Sequence, residues 1–373
     1  MRIALDAMGG DHAPYEPVWG GVLAAARSGD SIQLVGDEAA IRAALGRPHP
    51  KVRPLPDVAA LMASGKLSIL HTDESVAMDD APAAAVRRKK NCSINVCMRL
   101  VKEGKADAAV SAGNSGAMAA SALFILGRIK GVARPAIATV IPTADAARPL
   151  LLLDAGANTD CHHEWLRQFA VMGEAYSRCA LGRERPEVGL MSIGTEDSKG
   201  NETTKRAFAL LRNYTPGLCF KGNVEGHDVF EGKTDVIVCD GFIGNVILKT
   251  SESAAHAIGG WLKNILKERL IYKLAALMLL PAFKKFKRHM DPEVFGGAPL
   301  LGVPGAVIIA HGASSFRAIA YACAAGSKAA ENNVSKAIAD GIGALPEAPL
   351  DDELNAILAS QHAAPKDDAG QPS

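Results

Sequence analysis

A short apolar run that ends in a glycine turn constrains the fold of this chain more than any other feature. Ala108–Val110 is such a run; the turn Gly113-Asn-Ser-Gly116 follows it, and strong helix formers continue from Ala117 to Leu126. A strand, a turn and a helix start in that order point backbone N–H groups and the positive helix end at an anion. Similar apolar runs alternate with helical patterns along most of the chain. This alternation predicts an α/β protein with a three-layer α/β/α fold, in which helices cover both faces of a mostly parallel sheet.

The composition indicates a folded protein with a large core and excludes several functional classes. Apolar residues make up 48% and charged residues 22% of the 373 residues, and the formal net charge is +1. This balance excludes a globally basic nucleic-acid binder, so we expect no nucleic-acid partner. The seven cysteines include no Cys-x-x-Cys pair. They favour reduced thiols in a cytosolic setting over disulfides or a zinc site.

Neither a leader nor a membrane span is evident in the sequence. Met1–Asp6 has the pattern of a strand, so we expect no signal peptide. The longest charge-free candidate, Leu274–Phe283, is shorter than the ~18 apolar residues that a spanning helix needs. We expect residues 1–346 to form a single catalytic domain, with a basic amphipathic helical hairpin at about 254–295. The final residues, 361–373, lack apolar side chains and are expected to be disordered.

The segment Lys263–Arg288 mixes basic and apolar side chains. It carries eight basic residues and one acid, Glu268, so its net charge of +7 leaves −6 for the rest of the chain. Such a mixture is typical of a helix that lies on an anionic membrane surface. The alternative is a surface helix docked on a partner subunit or on an acidic protein, and the two can hold together. We expect membrane-surface contact through about Trp261–Arg288.

Glycines and polar residues gather at the predicted carboxyl ends of the strands. In an open parallel sheet, ligands bind beside those ends. One such loop is ordinary turn chemistry, but seven on one edge of the sheet predict a polar cleft containing one conspicuous cation, Lys199. The seven loops are Asp6–His12, Ser111–Gly116, Asp154–Asn158, Ser192–Asn201, Gly222–Asp228, Asp240–Asn245 and His311–Ser315.

Three functions compete for the turn at Gly113–Gly116. It can be a phosphate cradle, or it can be the nucleophile elbow of a serine acyl-hydrolase, with Ser115, Asp240 and His311 in the expected triad order. A dinucleotide site has little support because Gly-x-Gly-x-x-Gly is absent. A metal site at Cys161-His-His-Glu164 is also disfavoured, because neighbouring residues on a helix do not converge on one ion.

Six motifs resemble the bacterial phosphate acyltransferase family, in the same order along the chain. The motifs are Met1-Arg-Ile-Ala-Leu-Asp-Ala-Met-Gly-Gly-Asp-His-Ala-Pro14, Val110-Ser-Ala-Gly-Asn-Ser-Gly116, Leu153-Asp-Ala-Gly-Ala-Asn158, Gly194-Thr-Glu-Asp-Ser-Lys-Gly-Asn-Glu202, Gly222-Asn-Val-Glu-Gly226 and Asp240-Gly-Phe-Ile-Gly-Asn-Val246. Members of this family transfer a fatty acyl group from acyl carrier protein to inorganic phosphate, which gives acyl phosphate for phospholipid synthesis. The resemblance extends to about Ala330. Cys161-His162 departs from it, since the family more often has a Pro-Glu-His type of helix start there.

The resemblance implies a fold akin to phosphotransacetylases and isocitrate-type dehydrogenases. It also implies a homodimer, no metal and no nucleotide or other cofactor. The enzyme would be cytoplasmic and peripherally associated with the inner face of the cell membrane, where a glycerol-3-phosphate acyltransferase takes up the product.

The resemblance and the chemistry together assign roles to individual residues. Phosphate is a competent nucleophile, so the protein has to hold it and stabilise the oxyanion that develops on the thioester. Lys199 resembles the family's catalytic lysine, and Asn245 would donate a hydrogen bond to the same centre. The phosphate-binding residues would be Gly113, Asn114, Ser115 and Gly116, and the supporting residues would be Asp6, His12, Asp154, Asn158, Asn201, Asn223 and Asp240.

Overall fold

The computed structural model describes residues 1–289, 292–350 and 352–356. The strands are β1 Arg2–Asp6, β2 Ser31–Gly36, β3 Leu67–His71, β4 Ala108–Ser111, β5 Ala136–Ile141, β6 Leu150–Leu153, β7 Glu187–Met191, β8 Cys219–Val224, β9 Val236–Val238, β10 Ala298–Leu301 and β11 Ala306–Ile309. The helices are α1 Tyr15–Arg27, α2 Glu38–Leu45, α3 Val58–Ala63, α4 Pro82–Arg88, α5 Ser93–Lys102, α6 Ser115–Ile125, α7 His163–Cys179, α8 Glu202–Asn213, α9 Asp228–Glu231, α10 Gly241–Glu268, α11 Leu270–Met278, α12 Leu280–His289, α13 Phe316–Glu331 and α14 Val334–Gly343. The predicted tail, 361–373, lies outside the described residues.

One sheet runs through the described residues in the order β3-β2-β1-β4-β11-β10-β5-β6-β9-β7-β8. Most neighbouring strands are parallel, and the antiparallel pairs are β10 with β11, β10 with β5, and β5 with β6. Successive side chains of a strand point to opposite faces of the sheet, so alternate residues of the buried strands belong to different apolar clusters. Ile3 and Leu5 pack under α1 and α13, whereas Ala4 packs under α5 and α6. The predicted three-layer α/β/α fold is therefore confirmed.

The antiparallel pairings in the middle of the sheet reverse the direction of the second half. β1, β4 and β11 run one way, whereas β6, β9, β7 and β8 run the opposite way. Their carboxyl ends therefore lie at opposite edges of the sheet. The prediction that all seven polar loops share one edge is wrong, because apolar periodicity identifies strands but carries no information on their direction.

Two strands were missed by the sequence interpretation. β8 contains Gly222-Asn-Val224, which was predicted to be a loop because Gly and Asn are turn residues. Pairing with β7 overrides that preference, and a register shift at Val188/Gly189 accommodates it. β10 is only four residues long and includes Pro299. Its first two residues pair with β11 and its last two with β5, so tertiary contacts define it.

The basic segment forms three helices that leave the body of the protein. α10 buries only Gly241 and Gly244, both in its first turn, and extends for about 42 Å; α11 buries none. Trp261, Leu274 and Leu277 are 66%, 56% and 64% exposed. We call α10 beyond residue 254, α11 and α12 the helical arm. No helix in the described part of the chain combines the length and the apolar character that crossing a bilayer requires.

Arg167 of α7 is a buried cation that contacts two other segments of the chain. Its side chain is 1% exposed. Its Nη2 donates to the carbonyl oxygens of Tyr214 at 2.6 Å and Pro346 at 2.8 Å. The guanidinium also pairs with Glu164 at 3.3 Å. One buried cation therefore joins α7 to the end of α8 and to the segment that follows α14.

We expect Arg167→Met to lower the free energy of unfolding by about 3 kcal/mol, because two buried carbonyls lose their donor. Arg178→Met is the matched control: Arg178 is on the same helix and pairs with Glu174 at the surface, so its loss should cost less than about 1 kcal/mol. Urea unfolding of both variants measures the difference. Equal losses would show that the Arg167 contacts do not stabilise the fold.

Candidate active site

The edge formed by β1 and β4 carries a buried relay that ends at the glycine turn. The Gly113 N–H donates to Ser111 Oγ at 2.9 Å, and Ser111 Oγ donates to Asp6 Oδ2 at 2.7 Å. The Asp6 carboxylate also accepts from the Met8 N–H at 3.0 Å. Burial raises the pKa of Asp6, and the hydrogen bond from Ser111 opposes that shift. Asp6 therefore positions the turn from below and does not face solvent.

Gly9 lets the loop after β1 approach the same turn. A Cβ at Gly9 would lie 2.5 Å from Asp6 Oδ2, 2.7 Å from the Gly113 nitrogen and 2.8 Å from Ser111 Oγ. Any side chain would therefore disrupt the relay. The Asp11 N–H donates to the Gly312 carbonyl at 2.8 Å, which joins this loop to the one after β11.

The start of α6 offers unpaired backbone donors. Asn114 is its N-cap, and its Oδ1 accepts from the Ala117 N–H at 3.0 Å. Within the described chain, the N–H groups of Asn114, Ser115 and Gly116 have no hydrogen-bond acceptor. Three such donors beside a helix N-terminus form an anion-binding arrangement.

The Asn114 side chain has a different role from the predicted one. Its Nδ2 donates to the carbonyl oxygens of Met78 at 3.0 Å and Asp80 at 3.2 Å. Since its Oδ1 caps α6, the whole amide is engaged within the protein. Asn114 can contribute its backbone N–H to an anion, but its side chain holds the 78–80 segment against the turn.

The serine-hydrolase triad is not assembled among the described residues. Ser115 and His311 lie at the β1/β4/β11 edge, but the His311 Nδ1 accepts from the Ala313 N–H at 3.2 Å. Asp240 follows β9 at the opposite edge and caps α10 by accepting from the Ile243 N–H at 2.8 Å. His12 is exposed at the same edge as Ser115, and its backbone carbonyl accepts a hydrogen bond from the Glu16 N–H.

At the opposite edge, a second buried carboxylate organises the loop after β6. Asp154 is fully buried and accepts from the N–H groups of Ile137 at 3.0 Å and Asn158 at 2.7 Å. It also accepts from Gly156 and Ala157. Burial raises the pKa of Asp154, opposed by these hydrogen bonds. The Asn158 side chain donates to Asp154 and to the Pro135 carbonyl, so both residues support the loop.

The first turn of α10 lies against this loop. A Cβ at Gly244 would be 1.9 Å from the Asp154 carbonyl oxygen, so only glycine allows the contact. Asn245 follows and is exposed, and a Cβ at Gly156 would lie 3.6 Å from the Asn245 Cβ. The Asn245 amide has no hydrogen-bond partner among the described residues. It is therefore available to an external ligand.

Lys199 lies in the loop between β7 and α8, at the same edge as Asn245. Its side chain is exposed and forms no ion pair within the described ranges. The Glu196 carbonyl accepts from the Lys199 N–H at 3.0 Å and from Asn223 Nδ2 at 2.8 Å. Asn223 is 7% exposed and therefore supports the loop from within. Asn201 caps α8 by accepting from the Thr204 N–H at 2.9 Å.

Two groups of potential metal ligands are explained without an ion. His162 caps α7, Glu164 pairs with Arg167, and the Cys161 thiol donates to the Asn158 carbonyl. Elsewhere, His227, Asp228 and Glu231 place ligand atoms within 4.8 Å of one another. Lys233 lies 2.8 Å from Asp228 and 2.7 Å from Glu231 and supplies the counter-charge.

Sequence reasoning missed two parts of the first edge. Ser111 was seen only as a strand end, whereas it connects Asp6 to Gly113. The 78–82 segment contacts Asn114 from 34 and 36 residues away, so no local signal placed it beside the turn. The structure has Ala81 at the N-cap with no side-chain bond, and Pro82 begins α4. A polar residue that closes a buried strand was the available signal for Ser111.

Comparison with solved structures identifies proteins with the same fold. "EutD phosphotransacetylase from Staphylococcus aureus" matches with a TM-score of 0.55 and 16% identity, covering 88% of this chain and 94% of that one. A phosphotransacetylase from Streptococcus pyogenes matches with a TM-score of 0.51 and 17% identity, covering 84% and 91%. At these identities the likeness concerns the fold alone. It confirms the predicted likeness in fold to phosphotransacetylases.

Sequence comparison gives the family. The profile described as "Fatty acid synthesis protein" matches residues 1–337. The "Phosphate acyltransferase" of Nostoc punctiforme is 48% identical over 338 residues, which are 91% of this chain and 95% of the relative. That of Moorella thermoacetica is 46% identical over 348 residues, 93% and 96% of the two chains. The chain is an acyltransferase and belongs to the phosphate acyltransferase family.

Proposed function

We propose that this enzyme transfers a long-chain fatty acyl group from acyl carrier protein to inorganic phosphate. A phosphate oxygen attacks the thioester carbonyl, the C–S bond breaks, and the carrier's thiol leaves with a proton. The acyl phosphate product then serves phospholipid (phosphatidic acid) synthesis. The observation that carries the proposal is the set of open N–H groups at Asn114–Gly116, which the Asp6–Ser111 relay holds in place.

Direct attack without an acyl-enzyme is supported by the state of the candidate protein nucleophiles. No described base contacts the Ser115 hydroxyl, and the predicted triad is dispersed over two edges. Burial, with Asp154 and Asp240 nearby, raises the pKa of Cys161 to about 12. Its thiol is therefore neutral at physiological pH and a weak nucleophile. Phosphate, which needs no such activation, is the better attacking group.

Lys199 and Asn245 are proposed to stabilise the charge that develops in the transfer. Both are exposed, and neither side chain is engaged within the described protein. They share the edge that Asp154 organises, whereas Gly113–Gly116 lies at the other edge. The proposal therefore requires that sheet curvature or a second subunit brings the two edges to one reaction centre.

The catalytic domain is proposed to be a single domain that spans residues 1–346.

Incubation with long-chain acyl carrier protein, with and without phosphate, tests the reaction. We expect the thioester to be lost only when phosphate is present, and the product to react with hydroxylamine, as acyl phosphates do. Thioester loss without phosphate would instead indicate the serine acyl-hydrolase that uses Ser115.

We expect Lys199→Ala and Asn245→Ala each to lower kcat roughly 10²–10³-fold, the usual cost of one lost oxyanion donor. Circular dichroism should show an unchanged fold, because both side chains are exposed. Combining Lys199→Ala with Ser111→Ala, which releases the Gly113 turn, should cost less than the product of the single losses if both act on one centre. Near-normal turnover of a single variant would remove that residue from the mechanism.

The helical arm is proposed to contact both a second subunit, as a homodimer, and the membrane surface. Its exposed apolar side chains alternate with bases such as Lys263 and Lys273, which suits an anionic lipid surface. The enzyme would then be a cytoplasmic, peripheral protein of the inner face of the cell membrane. There a membrane glycerol-3-phosphate acyltransferase would take up the acyl phosphate.

Replacing Leu274 and Leu277 with Asp should weaken binding to anionic vesicles, because it removes apolar contact and adds negative charge. Vesicle co-sedimentation measures the effect. Leu350→Asp is the control, since Leu350 is 75% exposed, more than either arm leucine, but lies outside the arm. Binding that survives the arm substitutions would count against insertion of α11 into the lipid.

A further inference from the structure

A basic and apolar surface adjoins the glycine turn and has no role in the function described so far. It consists of the 78–84 segment, the end of α4 with Lys90, and Leu123 and Phe124 of α6; we call it the α4/α6 surface. Met78, Leu123 and Phe124 are 43%, 37% and 48% exposed. The small residues at 81–84 are exposed as well. Large exposed apolar side chains in one place mark an interaction site.

Its basic residues are free to meet an acidic partner. Arg87, Arg88 and Lys90 are exposed, and within the described ranges none forms an ion pair. The Arg87 guanidinium lies 4.5 Å from the centroid of the Phe124 ring, which holds a cation over an apolar group. Lys89, the fourth base of the run, is engaged with Asp80 at 2.6 Å. Asp80 is thus neutralised, whereas Asp79 in the same segment is exposed.

This surface is continuous with the turn that the proposed function uses. Asn114 Nδ2 donates to the Met78 and Asp80 carbonyls. A Cβ at Gly116 would lie 2.8 Å from Pro82 Cγ, so the first residue of α4 touches the turn. Phe124 is nine residues after Ser115 on α6, about 14 Å along the helix axis.

We propose that the α4/α6 surface docks the acidic carrier protein that brings the acyl thioester, an inference that rests on the proposed function. An acidic helix of the carrier would pair with Arg87, Arg88 and Lys90, and its apolar side chains would cover Leu123 and Phe124. A thioester on a flexible arm then reaches the turn at Gly113–Gly116 from one side. Docking at this surface would select acyl carrier protein as the acyl donor, and the attack of phosphate on the thioester at the turn would be the same for any donor.

The test measures the binding of acyl carrier protein and, separately, the turnover of two acyl donors, acyl carrier protein and a small acyl thioester. We expect the triple variant R87E/R88E/K90E to weaken binding of acyl carrier protein about tenfold or more, as measured by fluorescence anisotropy, with the largest difference at low salt. Phosphate-dependent turnover of a small acyl thioester without a carrier should stay at the wild-type level. The control K51E/K66E/K102E, an equal charge change at exposed lysines outside this surface, should bind the carrier normally.

Two results would overturn the docking surface. One is unchanged carrier binding in R87E/R88E/K90E. The other is an equal or larger loss in K263E/K267E/K273E, which would place the carrier on the helical arm. A change in vesicle binding without a change in carrier binding would assign the α4/α6 surface to lipid instead. If the wild type transfers no acyl group from either donor, the proposed function fails, while the binding measurement still decides the docking.

Discussion

The reversal of strand direction across β10 and β5 is the constraint on which the rest of the structure depends. β10 pairs through two residues with each neighbour, and both pairings are antiparallel; β5 is in turn antiparallel to β6, and this third antiparallel pair reverses the second half of the sheet. The halves on either side are parallel within themselves and opposed to one another. Each half therefore has its own set of strand ends, its own loops and its own helix N-termini. The chemistry has to be considered at two edges.

Both edges use the same local device. A carboxylate at the end of a central strand, Asp6 in one half and Asp154 in the other, is buried and accepts hydrogen bonds from the loop above it. Burial of such a group is costly unless it is hydrogen-bonded. The network thereby orders a loop next to a helix start, α6 at one edge and α10 at the other. The groups left for ligands are the backbone N–H groups of residues 114–116 at one edge and the side chains of Lys199 and Asn245 at the other.

The sequence predicted what depends on local pattern and missed what depends on tertiary contacts. The strand predicted within Met1–Asp6 and the helix predicted after Gly116 are present as β1 and α6, because apolar runs and helix-forming residues define them locally. β8 was missed because Gly222-Asn223 resembles a turn until β7 pairs with it. Ser111 and Asp6 are 105 residues apart, so no local signal joins them. The family motifs identified the candidate residues, but they could not show that the Asn114 amide donates to the Met78 and Asp80 carbonyls or that the two halves of the sheet run in opposite directions.

The geometry of α10 has a mechanical consequence. The helix begins in contact with Asp154, presents Asn245 in its first turn and continues without a break to the basic arm. A force on the arm is therefore transmitted along a single rod to the candidate catalytic amide. The Gly259-Gly260 pair lies within the helix, and glycine pairs lower the resistance of a helix to bending. The stiffness of the helix at that pair determines whether a displacement of the arm also moves Asn245 or only bends the helix at the glycines.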